Sequence, residues 1–216
     1  MLKSYFNYTV IFEWITLLAA VITLNKRTSF WRGFIILMIL TITVETLGWY
    51  VKMIRHINDN YSMFNILLII NTSFFIWILS KSDVLKKNRE FLEILLITFI
   101  TMAICNLLFF QGFYNYNSYT ELTADLFLAF LCLYFFYLLL KEEAFRNLLT
   151  YEYFWLANGL LLFSFVGWLL YFFYDQLKEY YKETHINVGG TVNDIINLLF
   201  YASLIISFVC RRRTLN

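Results

Sequence analysis

Three carboxylates sit deep in runs of apolar residues: Glu13 in YTVIFEW, Glu45 in TITVETLGWY and Asp125 in ELTADLFLAF. In hydrocarbon such groups are costly. They turn to a protein interior or a water-filled cavity, where they bind ligands, relay protons or pair with one another. Amides accompany them, for Asn65, Asn106, Asn193 and Asn197 also stand inside apolar runs. Asn193, Asn197 and Tyr201 recur at i, i+4 and i+8 and so share one helix face. Asp194 suits another role, as the acid of a capping box opened by Thr191 in TVND; SYTE at 118–121 has the same pattern. Glu93 and Glu121 fall close enough to the ends of their runs to reach water.

The elements that must position these groups follow from composition. The chain has 216 residues, 61% of them hydrophobic, 21% aromatic and only 15% charged. Its mean hydropathy is +0.64. Soluble domains carry about a quarter charged residues, so this balance belongs to a polytopic membrane protein. A net charge of +2 without a basic patch excludes nucleic acid as a partner. Proline is absent, which leaves the helices without proline kinks.

Seven apolar runs are each about 20 residues long, the length needed to cross the hydrocarbon core. They cover approximately 5–24, 32–51, 61–80, 91–110, 119–140, 152–174 and 191–210. Because backbone polar groups must be satisfied within lipid, each run is expected to be a helix. The first run follows Lys3 as a signal peptide would, but it is longer than a usual signal core and lacks a small-residue cleavage site. The expected architecture is all-α, one seven-transmembrane-helix bundle over 1–216, with the segment at about 175–190 as its longest loop.

The 17 Lys and Arg orient it. One side carries Lys26, Arg27, Arg32, Lys81, Lys86, Lys87, Arg89, Lys141, Arg146, Arg211, Arg212 and Arg213. The other carries Lys3, Lys52, Arg55, Lys178 and Lys182. The positive-inside rule then places the N-terminus outside and the C-terminus in the cytoplasm. Aromatic belts agree, with Tyr5, Tyr8, Trp49, Tyr50, Tyr61, Tyr114, Tyr116, Tyr171 and Tyr174 at the outer ends and Trp31, Trp77, Tyr153 and Trp155 at the inner ends.

At ~1.5 Å per residue, Glu13 lies ~12 Å and Glu45 and Asp125 each ~10 Å below the outer ends of their spans. Three acids on three helices thus share a level, which predicts a polar cavity open to the outside. The plainer reading makes each acid a neutral, hydrogen-bonded packing group and each Asn an interhelical tie. Thr41 and Trp49 stand at i−4 and i+4 from Glu45, and Gly48 at i+3 permits close approach of a neighbouring helix.

Several chemistries lack their residues. The only histidines, His56 and His185, fall in loops, so a zinc hydrolase with intramembrane histidines is excluded. The last span has no Lys for a retinal Schiff base, and no G-x-S-x-G, P-loop or G-x-G-x-x-G occurs. Cys105, Cys132 and Cys210 are widely spaced and read as small apolar helix residues. No cofactor is called for. Lysoplasmalogenase-like proteins share the size and the intramembrane acids, but their motifs are absent and eight spans are expected of them.

A weak internal repeat is visible. Spans 1 and 5 begin YTVIFEW and YTELTADL, spans 2 and 6 begin FWRGFIILMIL and FWLANGLLLFSF, and spans 3 and 7 share NILLIINTSFF and INLLFYASLII. That order resembles the parallel three-plus-one-plus-three arrangement of sugar-transporting SWEET proteins. The lack of proline sets the chain apart from those families proper.

ETLGWY, FNILLII, YFWLANG and N-x-x-x-N-L-L-F-Y followed by CRRR resemble a group of uncharacterised seven-span integral membrane proteins of bacteria. The resemblance covers most of the chain and implies a sensory input partner of a signalling protein such as a histidine kinase. The expected function is therefore a receptor-like bundle of the bacterial inner membrane. It would bind a small ligand in the outer half through Glu45, Glu13, Asp125, Asn65, Asn106, Asn193 and Asn197, and signal to a separate cytoplasmic protein. A small-solute or proton-coupled transporter and a lipid-modifying enzyme are the alternatives.

Overall fold

The computed structural model describes residues 8–24, 30–54, 61–142 and 146–213, without the side chains of residues 8, 49 and 52–54. Lys3, Tyr5, Lys26, Arg27, Arg55 and His56, and the side chains of Tyr8, Trp49 and Lys52, lie outside this description. The described residues form helices, with no strand among them. The α-helices are α1 (Tyr8–Leu24), α2 (Gly33–Ile54), α3 (Tyr61–Leu79), α4 (Arg89–Cys105), α5 (Ser118–Leu140), α6 (Glu152–Phe172), α7 (Tyr174–Thr184) and α8 (Val188–Arg213). A π turn, Asn106–Phe110, prolongs α4.

A helix falls on each of the seven apolar runs. Five are long and apolar enough to cross a membrane: Tyr61–Leu79, Lys86–Phe110, Ser118–Leu140, Glu152–Phe172 and Val188–Arg213. The apolar parts of α1 and α2 are shorter, Thr9–Leu24 and Gly33–Gly48. The outer surface is apolar as lipid contact requires: Ile36, Ile94, Ile97, Leu108, Phe109 and Phe110 are each more than 60% exposed.

Two sequence expectations fail near the start of α8. The segment expected as the longest loop is mostly α7, a polar helix whose Tyr174, Leu177 and Tyr181 recur at i, i+3 and i+7. It ends at His185, the described non-glycine residue with positive φ (58°). The helix α8 then begins at Val188, earlier than TVND implies. Its cap is Asn187, whose Oδ1 accepts from the Gly190 amide at 2.9 Å. Thr191 lies inside the helix and donates to the Asn187 carbonyl at 3.0 Å, so Asp194 is an exposed residue of the second turn and closes no capping box. SYTE fails likewise, for the amide of Glu121 donates to the Asn117 carbonyl at 3.1 Å, as in a helix that already includes Ser118, and the Glu121 carboxylate bonds Tyr116 instead.

Consecutive long helices alternate in direction, and their ends meet at two poles. At one pole Trp31 packs on Tyr153 and Phe208, with centroids 5.4 and 6.4 Å away. There Arg211 pairs with Glu152 at 2.7 Å, and its guanidinium lies over the Phe30 and Trp31 rings. Arg146 meets Asp83 at 3.8 Å at the same end. Trp31 and Tyr153, expected in an interfacial belt, are instead buried at 0% and 3% exposure. They close the end of the core, because the start of α6 and the end of α8 fold over them. At the other pole Asn65 Nδ2 donates to the carbonyls of Phe113 and Asn115 at 3.0 and 2.8 Å, and Asp125 abuts Gly167.

Around the axis the neighbours run α1, α2, α3, α5, α6, α8 and back to α1, while α4 packs against α3 and α5 from outside the ring. Near the basic pole the interior is solid. Phe34 contacts Phe74 and Phe208 at 4.9 and 5.1 Å between centroids, the edge-on spacing that aromatic rings favour. Small residues let helices approach: a Cβ on Gly159 would stand 2.7 Å from Ser203 Cβ.

Candidate functional site

Towards the opposite pole the ring is hollow. A cavity of about 600 Å³ opens among α2, α3, α5, α6 and α8. Its volume is within the range of small-molecule sites, ~300–1,000 Å³. Helix periodicity puts one stripe of each helix on this space. On α2 the stripe carries Thr41, Glu45 and Gly48, at steps of four and three. On α5 it carries Glu121 and Asp125, and on α8 Asn193, Asn197 and Tyr201.

Five of the seven residues expected from sequence line this one cavity: Glu45, Asp125, Asn65, Asn193 and Asn197. Glu13 stands directly behind the wall. It is 1% exposed, and its Oε1 accepts the Tyr201 hydroxyl at 2.9 Å. Its Oε2 has no hydrogen-bond partner among the described residues. Glu45 is within electrostatic reach of both Glu13 and Tyr201, and Glu121 of Asp125. The three acids expected at one level thus gather at one pole, two in the wall and one a side chain deeper.

Asn106 has a different place. It starts the π turn and lies beside the cavity rather than in its lining. Its Nδ2, with two hydrogens, faces three acceptors: Gln111 Oε1 at 2.8 Å, Thr120 Oγ1 at 3.0 Å and Asn117 Oδ1. Gln111 Nε2 also donates to Ser118 Oγ at 2.8 Å, and Asn115 Nδ2 to the Gln111 carbonyl at 2.8 Å. Gly112, at φ 80°, makes the turn that a side chain would strain. Together with the two bonds from Asn65, this network fixes 111–117 as a rigid rim. Asn65 and Asn106 therefore act first as ties for the cavity mouth.

Three groups in the wall went unseen in the sequence. Glu121 was placed near water, yet it lies one turn from Asp125, on the same face; its Oε2 accepts from the Tyr116 hydroxyl. Asn71 lines the cavity with an Oδ1 that has no partner among the described residues. Asn117 is 1% exposed and lines the cavity with an Nδ2 that likewise has none among them. Spacing could have found Glu121. Asn117 belongs to a non-helical rim with no period, and no sequence signal marks it.

Polarity changes with depth. The mouth carries the carboxylates, amides, Tyr61 and Tyr116, and the floor carries Phe34, Phe75, Leu128, Leu160 and Leu204. Among the described residues no Lys, Arg or His is in the lining. Such a space suits a molecule with a polar head and an apolar body. Comparisons with models of protein families, with curated proteins and with solved structures find no match for this chain.

Proposed function

We propose that the chain is a receptor-like bundle of seven membrane spans. It lies in the bacterial inner membrane with its N-terminus outside and its C-terminus in the cytoplasm. It binds a small ligand in the cavity and signals to a separate cytoplasmic protein. The observation that carries this reading is the convergence of Glu45, Asp125, Asn65, Asn193 and Asn197 on one cavity. The charge bias of the two poles supports a mouth that faces outside.

Helix α8 supplies a route across the bundle. Its upper turns present Asn193, Asn197 and Tyr201 to the cavity. Its last turns carry Ser207, which donates to the Glu152 carbonyl at 2.8 Å, and Arg211, which pairs with Glu152. A ligand that favours one position of α8 over another changes the seating of Arg211, provided its affinity for the two states differs. The buried end is tightly packed, so such a helix moves between discrete seats rather than bending.

Crosslinking in native membranes through the basic pole, followed by purification, tests this. The expected result is one recurrent signalling protein with a cytoplasmic domain, lost on Arg211→Glu.

A transporter is the second reading, and the order of the ring favours it. Exchanging α1 with α5, α2 with α6 and α3 with α8 returns the same neighbours, with α4 left outside as a linker. Transporters place substrate between such repeats. Uptake of a cavity ligand into proteoliposomes, driven by a pH gradient and without any partner protein, decides for this reading.

A further inference from the structure

The cavity's own chemistry selects a class of ligand, an inference that rests on the reading of the cavity as a small-molecule site. Glu45 lines its mouth on α2 and the neighbouring Glu121 and Asp125 line it on α5, and among the described residues no cationic side chain is in the lining. Acids alone do not make a site. Here the same wall also holds Asn117, 1% exposed, whose Nδ2 lacks a partner among the described residues, and Asn71, whose Oδ1 lacks one among them too. A buried donor or acceptor left unmade costs ~1–3 kcal/mol, so a ligand that completes both gains affinity. The rings of Tyr61 and Tyr116, 5.9 Å apart, flank the mouth and offer faces to a positive charge.

The floor excludes a small hydrophilic ion. Phe200 there packs against Phe163 and Phe75, with centroids at 4.9 and 5.8 Å, and Leu160 and Leu204 complete an apolar base. Among the described residues no group of three His, Cys, Asp or Glu is placed to hold a metal ion.

We propose that the cavity binds an amphiphilic organic cation. Its ammonium head sits among Glu45, Glu121 and Asp125. A neighbouring oxygen accepts from Asn117 Nδ2, and an aryl or alkyl body fills the floor. Among the described residues of the lining no basic side chain offers an anionic head a counter-ion.

Wild-type protein in lipid nanodiscs, titrated with homophenylalaninol, phenylbutylamine, phenylbutanol and phenylbutyrate, tests this by equilibrium dialysis and by melting temperature. These probes share one apolar body and differ in head. Homophenylalaninol and phenylbutylamine are expected to bind and to raise the melting temperature. Both should bind at least about tenfold tighter than phenylbutanol, as a charge-assisted hydrogen bond implies. Homophenylalaninol should be the tighter of the two, and phenylbutyrate should not bind.

Glu45→Gln, Glu121→Gln and Asp125→Asn, made singly, should each weaken amine binding by a larger factor than phenylbutanol binding, and retained phenylbutanol binding shows that the cavity is still formed. Equal binding of amine and alcohol, stronger binding of phenylbutyrate, amine binding indifferent to all three substitutions, or no binding by any probe each overturns the proposal. Every readout is made without a partner protein, so a failed search for a signalling partner leaves these outcomes unaffected.

Discussion

Tyr201 joins the two layers of polar groups at the acidic pole. Its ring lines the cavity while its hydroxyl reaches through the wall to Glu13. Glu13 has no other partner for its second oxygen, so the phenol is its main satisfaction among the described residues. Tyr201→Phe removes that bond and leaves a buried carboxyl without a donor, at a cost of ~1–3 kcal/mol. Glu13→Gln keeps an acceptor oxygen for the phenol and should cost less. Melting curves of the two variants should therefore rank Tyr201→Phe below Glu13→Gln; the reverse order would show that the bond to the phenol is not what supports the acid.

Sequence made the acids visible because a carboxylate in an apolar run has few reasons to be there, and Glu45 and Asp125 proved to line one space. Amides are less informative. Asn65 and Asn106 stand in equally apolar surroundings, yet their Nδ2 groups tie the 111–117 rim, because an amide donor bonds a nearby carbonyl at little cost. Asn117 escaped notice because its role comes from a loop whose path depends on those same ties.

At the scale of elements, close approach between helices divides into two kinds. A Cβ on Gly159 of α6 would stand 2.7 Å from Ser203 Cβ, an atom held near the backbone of α8. A Cβ on Gly167, two turns on, would stand 2.7 Å from the Oδ2 of Asp125, the free end of a side chain. Gly159→Ala must push α8 away, and overpacking of this type costs ~1–3 kcal/mol. Gly167→Ala needs only a turn of the Asp125 carboxylate, and better helix propensity offsets that by ~1 kcal/mol. The expected outcome is a lowered melting temperature for Gly159→Ala, against near-wild-type melting with weakened amine binding for Gly167→Ala. Similar melting losses in both would mean that Asp125 is as fixed as the α8 backbone.

Helix positions were legible because hydrocarbon forces each apolar run to bond its own backbone. The start of α8 was not. A Thr–Val–Asn–Asp string fits a cap equally well outside or inside a helix, and the choice fell to Asn187, whose side chain reaches the Gly190 amide first. The polar segment before it could be read as a loop because its apolar residues are few. Its helical spacing of Tyr174, Leu177 and Tyr181 is the signal that identifies α7.

At the scale of the whole molecule, the two poles differ in packing as well as in charge. The basic pole is filled by rings and closed by the Arg211–Glu152 pair, whose side chains are 18% and 6% exposed. The other is hollow and lined by acids. An ion pair this buried resists loss of either partner, so the closed pole admits only discrete seats for α8, while the hollow pole has room for a change in helix positions.

Orientation in the bilayer decides what that asymmetry means. With the hollow pole outside, the cavity samples extracellular solutes and the C-terminal arginines face cytoplasmic partners; reversed, it samples cytoplasmic metabolites. The clustering of Lys86, Lys87, Arg89 and Arg146 near Arg211–Arg213 favours the first arrangement, because basic segments stay on the cytoplasmic side.

Single cysteines at Tyr114, 74% exposed on the rim, and at Asp83, 78% exposed at the opposite pole, report it directly in a background with Cys105, Cys132 and Cys210 replaced by Ala or Ser. In intact spheroplasts a membrane-impermeant maleimide should label the cysteine at 114 and spare that at 83, which becomes reactive only after permeabilisation. The opposite pattern inverts the bundle and makes the cavity an inward-facing site. Labelling of both in intact cells means that an even number of spans separates them, so that α4 does not cross the bilayer between them.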